Sequence, residues 1–226
     1  MTDGLSPFTH SLLPFVATTL VSHRNPVTCL LCGLDRPLVV QADGQRTEGD
    51  MVLIRPGVAH SVEIGGRAKV LYFNGLPFPL DAVAAGRVPR LLSSLAIDAL
   101  NCHIDAQWEL RDRLTDSETA CPPEIARIVE DIVKDPMSRM SQVELAERTG
   151  MERTRALRSF KAATGMTFRA FKNWTGLQAA ARQIAEGDLV RTAAMDAGFS
   201  DSAHLTRTFR SSFGTTPSAA TADRTH

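Results

Sequence analysis

The sequence lacks the features of a membrane or secreted protein. None of its apolar runs approaches the roughly eighteen residues of a membrane span, and its first segment has no basic stretch like the one that opens a signal peptide. We therefore expect a cytoplasmic protein with no membrane partner. The formal net charge is zero, without the excess of positive charge that is typical of a nucleic-acid-binding protein.

Cysteine is also scarce, with 4 residues in 226. Cys29 and Cys32 form one close pair, and no second pair completes a four-ligand metal site. Residues three apart in a strand point to opposite faces, so these two thiols would not converge on one ion. We interpret both as small buried apolar residues. The sequence predicts no metal, cofactor or catalytic residue.

Residues 27–75 alternate short apolar segments with turns that contain glycine. The predicted strands are Val27–Leu34, Pro37–Ala42, Met51–Arg55, His60–Ile64 and Ala68–Asn74. The predicted turns between them are Asp43-Gly44, Gly49-Asp50, Pro56-Gly57 and Gly65-Gly66. Several short antiparallel strands predict a small β-sandwich or barrel.

A helical pattern runs from Pro89 to Leu114, and its apolar stripe suits either packing on the barrel or pairing with a second copy. Prolines at 122 and 123 then indicate a linker. Residues 1–120 hold 10 Lys and Arg against 13 Asp and Glu, whereas residues 121–226 hold 15 against 12. This asymmetry predicts two domains with separate roles, residues 1–120 and 121–226.

The basic half contains one pattern twice. Leu145-Ala146 precedes Gly150, Ala193-Ala194 precedes Gly198, and a basic helical segment follows each glycine. A helix, a tight turn with glycine and a second helix make up a helix-turn-helix unit, whose second helix reads the major groove of DNA. A connecting helix from Thr167 to Glu186 would be about 30 Å long.

The segment Gly49–His60 resembles the second motif of the cupin barrel, a fold used by metalloenzymes and by effector-binding regulators. Metal-binding cupins carry an earlier pair of histidines one residue apart and a carboxylate, but nothing upstream here has that spacing, and His23 has no histidine close to it in the sequence. Arg55 shares a strand face with Met51 and Leu53, where an arginine either reaches out to solvent or meets an anion. Arg55 and His60 are therefore our predicted contacts to a small-molecule effector that carries a carboxylate or phosphate.

The segment Gly198–Arg210, followed by Phe213–Pro217, resembles the signature of the AraC/XylS family of bacterial transcription regulators, and Glu144–Phe171 fits the first unit of that family. The resemblance implies an α+β chain of two domains. The first is a small cupin-like β-barrel or sandwich with a following helix, for effector sensing and dimerisation. The second is an all-α domain with two helix-turn-helix units joined by a long helix, which binds double-stranded DNA.

The resemblance also assigns individual positions. The implied DNA contacts are Arg153, Thr154, Leu157, Arg158 and Lys161 in the first unit, and Ser202, Ala203, Thr206, Arg207 and Arg210 in the second. We expect the N-termini of both reading helices to bind phosphates as well. Gly176 stands where the family usually has arginine, and is expected to weaken the connecting helix. The predicted core residues are Leu145, Ala146, Phe160, Ala194, Phe199, Leu205, Phe209 and Phe213.

These observations predict a DNA-binding regulator without enzymatic activity that works as a homodimer and, if it activates transcription, contacts RNA polymerase. Two alternatives remain open. The front domain could be a cupin-type metalloenzyme fused to a DNA-binding domain, or it could be a dimerisation module that binds no effector.

Overall fold

The computed structural model describes residues 10–73, 84–114, 121–136 and 140–221. They divide into two compact units. One is built from Ser117–Leu205, and the other from His10–Phe73, Pro77–Asp116 and Thr206–His226. The domain boundary proposed after residue 120 remains a prediction, and the chain from Thr206 onward belongs to the same unit as the sheet.

Seven antiparallel strands in the described ranges form a nearly closed, barrel-like sheet. They are β1 (His10–Arg24), β2 (Thr28–Gly33), β3 (Leu38–Ala42), β4 (Gln45–Gly49), β5 (Met51–Ile54), β6 (Ala59–Phe73) and β7 (Ala85–Arg87). The order is β4-β3-β6-β2-β5-β7, and β1 pairs with β6 outside this path. The sequence predicted the barrel and the turn at Asp43-Gly44, but it missed β1, β4 and β7.

The pairing of β1 and β2 with β6 explains why the sheet curls. His23 near the end of β1 lies opposite His60 at the start of β6, whereas Thr28 at the start of β2 lies opposite Phe73 at its end. Only residues 25–27 join β1 to β2. The two ends of β6 must therefore approach each other, although a straight strand of this length would hold them roughly 45 Å apart.

Gly65 and Gly66 lie within β6, so the predicted turn between two separate strands was wrong. The β1–β6 register shifts between Val16 and Thr18, whose partners are Arg67 and Ile64. The two glycines therefore occupy an irregularity in a ladder that continues on both sides. Glycine favours such a bulge because it has no side chain to oppose the bend.

The segment after Pro89 forms a 3-10 turn (Arg90–Leu92) and two helices, α1 (Ser93–Leu100) and α2 (Ile104–Leu114), rather than the single predicted helix. The break lies at Cys102, which has a φ of 67°. Residues of the predicted stripe pack against the outer face of the sheet in one cluster, which contains Leu30, Cys32, Leu53, Leu71, Phe73, Ala99, Leu110 and Leu114. Of the two possibilities for this stripe, the structure shows packing on the barrel of the same chain.

Seven helices follow in the described residues. They are α3 (Pro123–Lys134), α4 (Gln142–Thr149), α5 (Arg153–Thr164), α6 (Phe168–Glu186), α7 (Val190–Asp196), α8 (Ser202–Phe213) and α9 (Pro217–Thr221). Of the predicted core residues, Ala146 and Phe199 are half-buried and the other six are buried. No helix in the described ranges combines the length and apolarity needed to cross a membrane.

Gly176 is a packing position in the middle of α6. A Cβ atom there would lie 2.9 Å from the carbonyl oxygen of Ala197, the residue that ends α7. The expectation that this glycine only weakens the helix is therefore corrected. Its missing side chain lets the end of α7 approach the backbone of α6.

We predict that Gly176→Ala destabilises the protein. Helix propensity alone favours alanine by about 1 kcal/mol, but the clash with a backbone oxygen has an expected cost of about 1–3 kcal/mol. Urea unfolding should therefore show a lower free energy of unfolding. Ala179→Gly on the same helix measures the propensity effect alone. A more stable Gly176→Ala protein would contradict the packing role.

Candidate nucleic-acid interface

Each helix-turn-helix unit begins its second helix with a carboxylate cap. The Glu152 carboxylate accepts hydrogen bonds from the backbone N–H groups of Thr154 at 2.8 Å and Arg155 at 3.1 Å, at the start of α5. Asp201 caps α8 in the same way, because its Oδ1 accepts from the N–H of His204 at 2.6 Å. These bonds satisfy N–H groups that would otherwise lack partners.

The two caps correct the expectation that the helix N-termini bind phosphates. Each carboxylate occupies N–H groups that a phosphate would use, and each brings a negative charge to the same place. The hydrogen bonds from Thr154 and Arg155 hold the pKa of the Glu152 carboxyl below its usual range, so this cap is ionised at neutral pH. The cationic side chains further along each helix remain the candidates for contact with phosphate.

In α5, three of the five predicted DNA contacts lie on the face opposite the core. Ala156 and Phe160 are fully buried. Thr154, Arg158 and Lys161 are exposed, and their spacing of four and then three residues places them on one face of the helix. Arg153 beside them is also exposed, and Leu157 is half-buried.

The helix α8 repeats this arrangement. Leu205, Phe209 and Phe213 form its buried face. Ala203, Arg207 and Arg210 are exposed with the same spacing of four and three residues. Ser202 is exposed next to them, and Thr206 is half-buried. We call these two sets, Thr154, Arg158 and Lys161 and Ala203, Arg207 and Arg210, the exposed stripes of α5 and α8.

The arginines on these helices are available to an outside partner. No ion pair among the described residues includes Arg153, Arg158, Arg207 or Arg210. A guanidinium group that is not engaged in the protein offers a planar set of donors that matches guanine or phosphate. The geometry of both stripes thus suits a nucleic acid.

The two units also share their C-terminal geometry. Gly165 and Gly214 follow α5 and α8, and each has a φ of 71°. Thr167 and Thr216 then accept hydrogen bonds from the N–H groups of Ala170 and Ala219 at the start of the next helix. The repeat therefore extends from the carboxylate cap to the glycine end. Sequence reasoning recognised the repeat and placed Asp201 near the N-cap of the second reading helix, but it missed the cap at Glu152, which stands at the corresponding position.

In the barrel, Arg55 and His60 flank the connection from β5 to β6. Arg55 is half-buried, and its Nε is buried without a hydrogen-bond partner among the described residues. His60 is buried, its Nδ1 lies 2.9 Å from the carbonyl oxygen of Val58, and its Nε2 has no partner among the described residues. No described contact joins Arg55 to His60.

His23 is not isolated, as it seemed in the sequence. It lies opposite His60 in the β1–β6 ladder, and the two ring centroids are 4.1 Å apart. Burial and the neighbouring His60 lower the pKa of His23 to about 4, and burial also lowers the pKa of His60. Both rings are therefore neutral at neutral pH. Within the described ranges, no three His, Cys, Asp or Glu residues are grouped so that they could hold a metal ion.

We predict that the charge of Glu152 stabilises the fold at neutral pH. Because the folded-state pKa is lowered, this stabilisation is present above the unfolded-state pKa and is lost as the pH falls through the folded-state value. Glu152→Gln keeps an oxygen acceptor and removes the charge, so its melting temperature should be lower than wild type at pH 7 and equal to it in acid. The same difference at both pH values would show that the charge contributes nothing.

Comparison with known proteins identifies the helical region. The family model of a helix-turn-helix domain matches residues 145–222, which include both exposed stripes. No curated protein matches the chain in sequence.

Solved structures resemble the chain over nearly its whole length. ToxT from Vibrio cholerae O395 bound to (E)-4-(8-methylnaphthalen-1-yl)but-3-enoic acid is 9% identical, with a TM-score of 0.58 over 95% of this chain and 97% of that one. ToxT from Vibrio cholerae strain SCE256 bound to an unsaturated fatty acid is 10% identical, with a TM-score of 0.54 over 96% of each chain. At this identity the likeness shows the fold, a barrel-like N-terminal part and a helical C-terminal part.

The repeated helix-turn-helix unit and the matching family model agree in type and position. The region 145–222 is therefore a helix-turn-helix domain.

Proposed function

We propose that the chain reads double-stranded DNA through the exposed stripes of α5 and α8, under the control of a carboxylic acid that binds its barrel. The proposal of DNA reading rests on the repetition of the exposed stripe in α5 and α8. In each helix a threonine or alanine is followed by one cationic residue four positions later and a second one three positions after that. Two reading helices in one chain would recognise a longer sequence than one helix alone.

The residue types suggest a role for each position. The guanidinium groups of Arg158 and Arg207 match the O6 and N7 acceptors of guanine, and the methyl groups of Thr154 and Ala203 can contact the thymine methyl. Lys161 and Arg210 lie nearer the C-terminal ends of their helices, and we assign them to phosphates. Arg153, Leu157, Ser202 and Thr206 flank the stripes and are proposed as supporting DNA contacts.

The effector part rests on Arg55. Its buried Nε has no partner among the described residues, and a buried donor of this kind is costly unless a ligand or water satisfies it. The two ligands bound to ToxT are acids with an apolar body. The barrel contains apolar side chains that suit such an apolar body, because Val40, Val52, Ile54 and Val62 are fully buried. We propose an amphipathic carboxylic acid whose anionic group binds Arg55.

His60 suits a different part of the same molecule. The Val58 carbonyl oxygen can only accept a hydrogen bond, so the Nδ1 of His60 carries the proton and its Nε2 is an acceptor. The neutral ring therefore favours a donor such as a hydroxyl group over a carboxylate. This refines the earlier assignment of both residues to an anion.

The outer face of the helical pair suits a second copy of the chain. Leu91 and Ile104 are 95% and 66% exposed, which is unusual for large apolar side chains. We propose that the chain forms a homodimer through this face. Such a dimer does not require an effector, so it is also compatible with a front domain that serves only for dimerisation. A contact with RNA polymerase is proposed for the case in which the regulator activates transcription.

We predict that Arg207→Ala weakens binding to a site selected in vitro from random DNA by about 1–3 kcal/mol, and weakens binding to unselected duplex much less. Fluorescence anisotropy at fixed salt would measure both affinities. Arg191→Ala removes an exposed arginine of α7, outside the stripes, and serves as the matched control. An equal loss on both DNAs would show that Arg207 contacts phosphate rather than a base.

We further predict that oleic acid binds the full chain and that Arg55→Met weakens this binding about tenfold, since a charge-assisted hydrogen bond is lost. Isothermal titration calorimetry would give both affinities. Arg46→Met removes an exposed barrel arginine and should leave the affinity unchanged. Unchanged affinity in Arg55→Met would mean that this side chain only reaches out to solvent.

A further inference from the structure

The end of the second recognition helix is bound by strand β1. The helix α8 ends at Phe213, and Thr206–His226 belongs to the same compact unit as the sheet. The backbone N–H of Val21 donates to the carbonyl oxygen of Gly214 at 2.9 Å. The Asn25 side chain donates through Nδ2 to the carbonyl oxygen of Ser212. Two carbonyl groups at the C-terminal end of α8 thus find their partners in β1 or directly after it.

Aromatic packing supports the same contact. The rings of Phe213 and Tyr72 lie 5.6 Å apart between centroids, and Phe213 is fully buried. At the corresponding position of α5 stands Thr164, whose hydroxyl donates to the carbonyl oxygen of Phe160 at 2.8 Å within its own helix. The second unit thus carries an aromatic anchor where the first carries a residue that bonds locally.

Gly214 fits this contact for two reasons. Its φ of 71° is a conformation that glycine adopts without strain. In addition, a Cβ atom there would lie 2.5 Å from the Nδ1 of His23 and 2.6 Å from the carbonyl oxygen of Val21. The backbone of β1 therefore approaches the helix end more closely than any other residue type would allow.

The contact leaves the reading face of the helix open. It uses Ser212, Phe213 and Gly214, whereas Ala203, Arg207 and Arg210 of the exposed stripe remain accessible. A contact of this kind fixes the position of the helix end without covering the residues that face DNA.

We propose that the segment 21–25 is an intramolecular docking site for the last turn of α8, through which the barrel sets the position of the second recognition helix. His23 is a positioning residue in this site. It lies against Gly214, and its ring also contacts the ring of His60 in a tilted arrangement. A displacement of His60 would therefore move His23, which lies against the end of α8. Any ligand that shifts this ring would change DNA affinity, and DNA would change the affinity for that ligand by the same factor. The docking site itself does not depend on the proposed effector.

Hydrogen–deuterium exchange on the full chain, without ligand, tests the docking site. Asn25→Asp keeps the shape of the side chain but replaces the Nδ2 donor with an oxygen that faces the Ser212 carbonyl. We expect amides in Thr206–Phe213 to exchange roughly tenfold faster, while those of α4 and α5 keep their rates. Thr28→Val is the control, because it changes a buried hydroxyl that has no partner among the described residues. It should leave α8 unchanged.

The reciprocal variant tests the contact from the helix side. Gly214→Ala should speed exchange at the Val21 amide, which donates to Gly214. Gly150→Ala introduces similar backbone strain at a φ of 63° with no atom within 4 Å, and should leave that amide unchanged. Wild-type exchange of Thr206–Phe213 in Asn25→Asp would overturn the proposal. So would equal acceleration of α4 and α5 in both Asn25→Asp and Gly214→Ala, since that pattern indicates general destabilisation.

Discussion

The closure of the β-sheet into a barrel depends on the short connection between β1 and β2. Because only residues 25–27 separate two strands that pair with opposite ends of β6, the long strand must curl and the sheet closes into a barrel. The same geometry brings the two connections together, since the N–H of Gly57 donates to the Asn25 carbonyl oxygen at 2.7 Å. His60, Arg55 and the docking segment 21–25 all lie around this closure. Within the described part of the barrel, the buried polar side-chain atoms without a hydrogen-bond partner belong to Asn25, Thr28, Arg55 and His60, around this closure.

In each helix-turn-helix unit, the residues that cap the second helix are separate from the exposed cationic residues along it. A carboxylate at the N-terminus fixes where each reading helix begins, and a glycine in the left-handed conformation fixes where it ends. The negative caps reduce the attraction of the helix start for phosphate. The arginines and lysine one to two turns further along are proposed to compensate for this, because they are exposed and free of ion pairs among the described residues. In the proposed mode of DNA reading, stability and DNA affinity thus come from different residues of the same short helix.

Much of this organisation could be predicted from the sequence. The glycine turns at Gly150 and Gly198 depend on neighbouring residues, and both are found where predicted. The spacing of apolar residues in α5 and α8 separated the buried face from the exposed stripe for the same reason, since the helical period is a local property. The DNA-contact candidates follow from that spacing and from the resemblance to a family. The hydrogen bonds of buried side chains could not be predicted from local sequence, because they depend on which strands become neighbours in the folded sheet.

The sequence by itself therefore determined the two helix-turn-helix units, the glycine turns within them and the faces that their second helices expose, because these depend on interactions within a few residues. Only the tertiary structure decided the course of β6, the role of Gly176, the pairing of His23 with His60 and the contact of Gly214 with β1. Each of these joins residues far apart in the chain. In the sequence, Gly65-Gly66 looks like a turn and Gly176 looks like a defect. The tertiary structure makes one a bulge in a continuous ladder and the other a point of close approach, because a glycine's role is set by the backbone that packs against it.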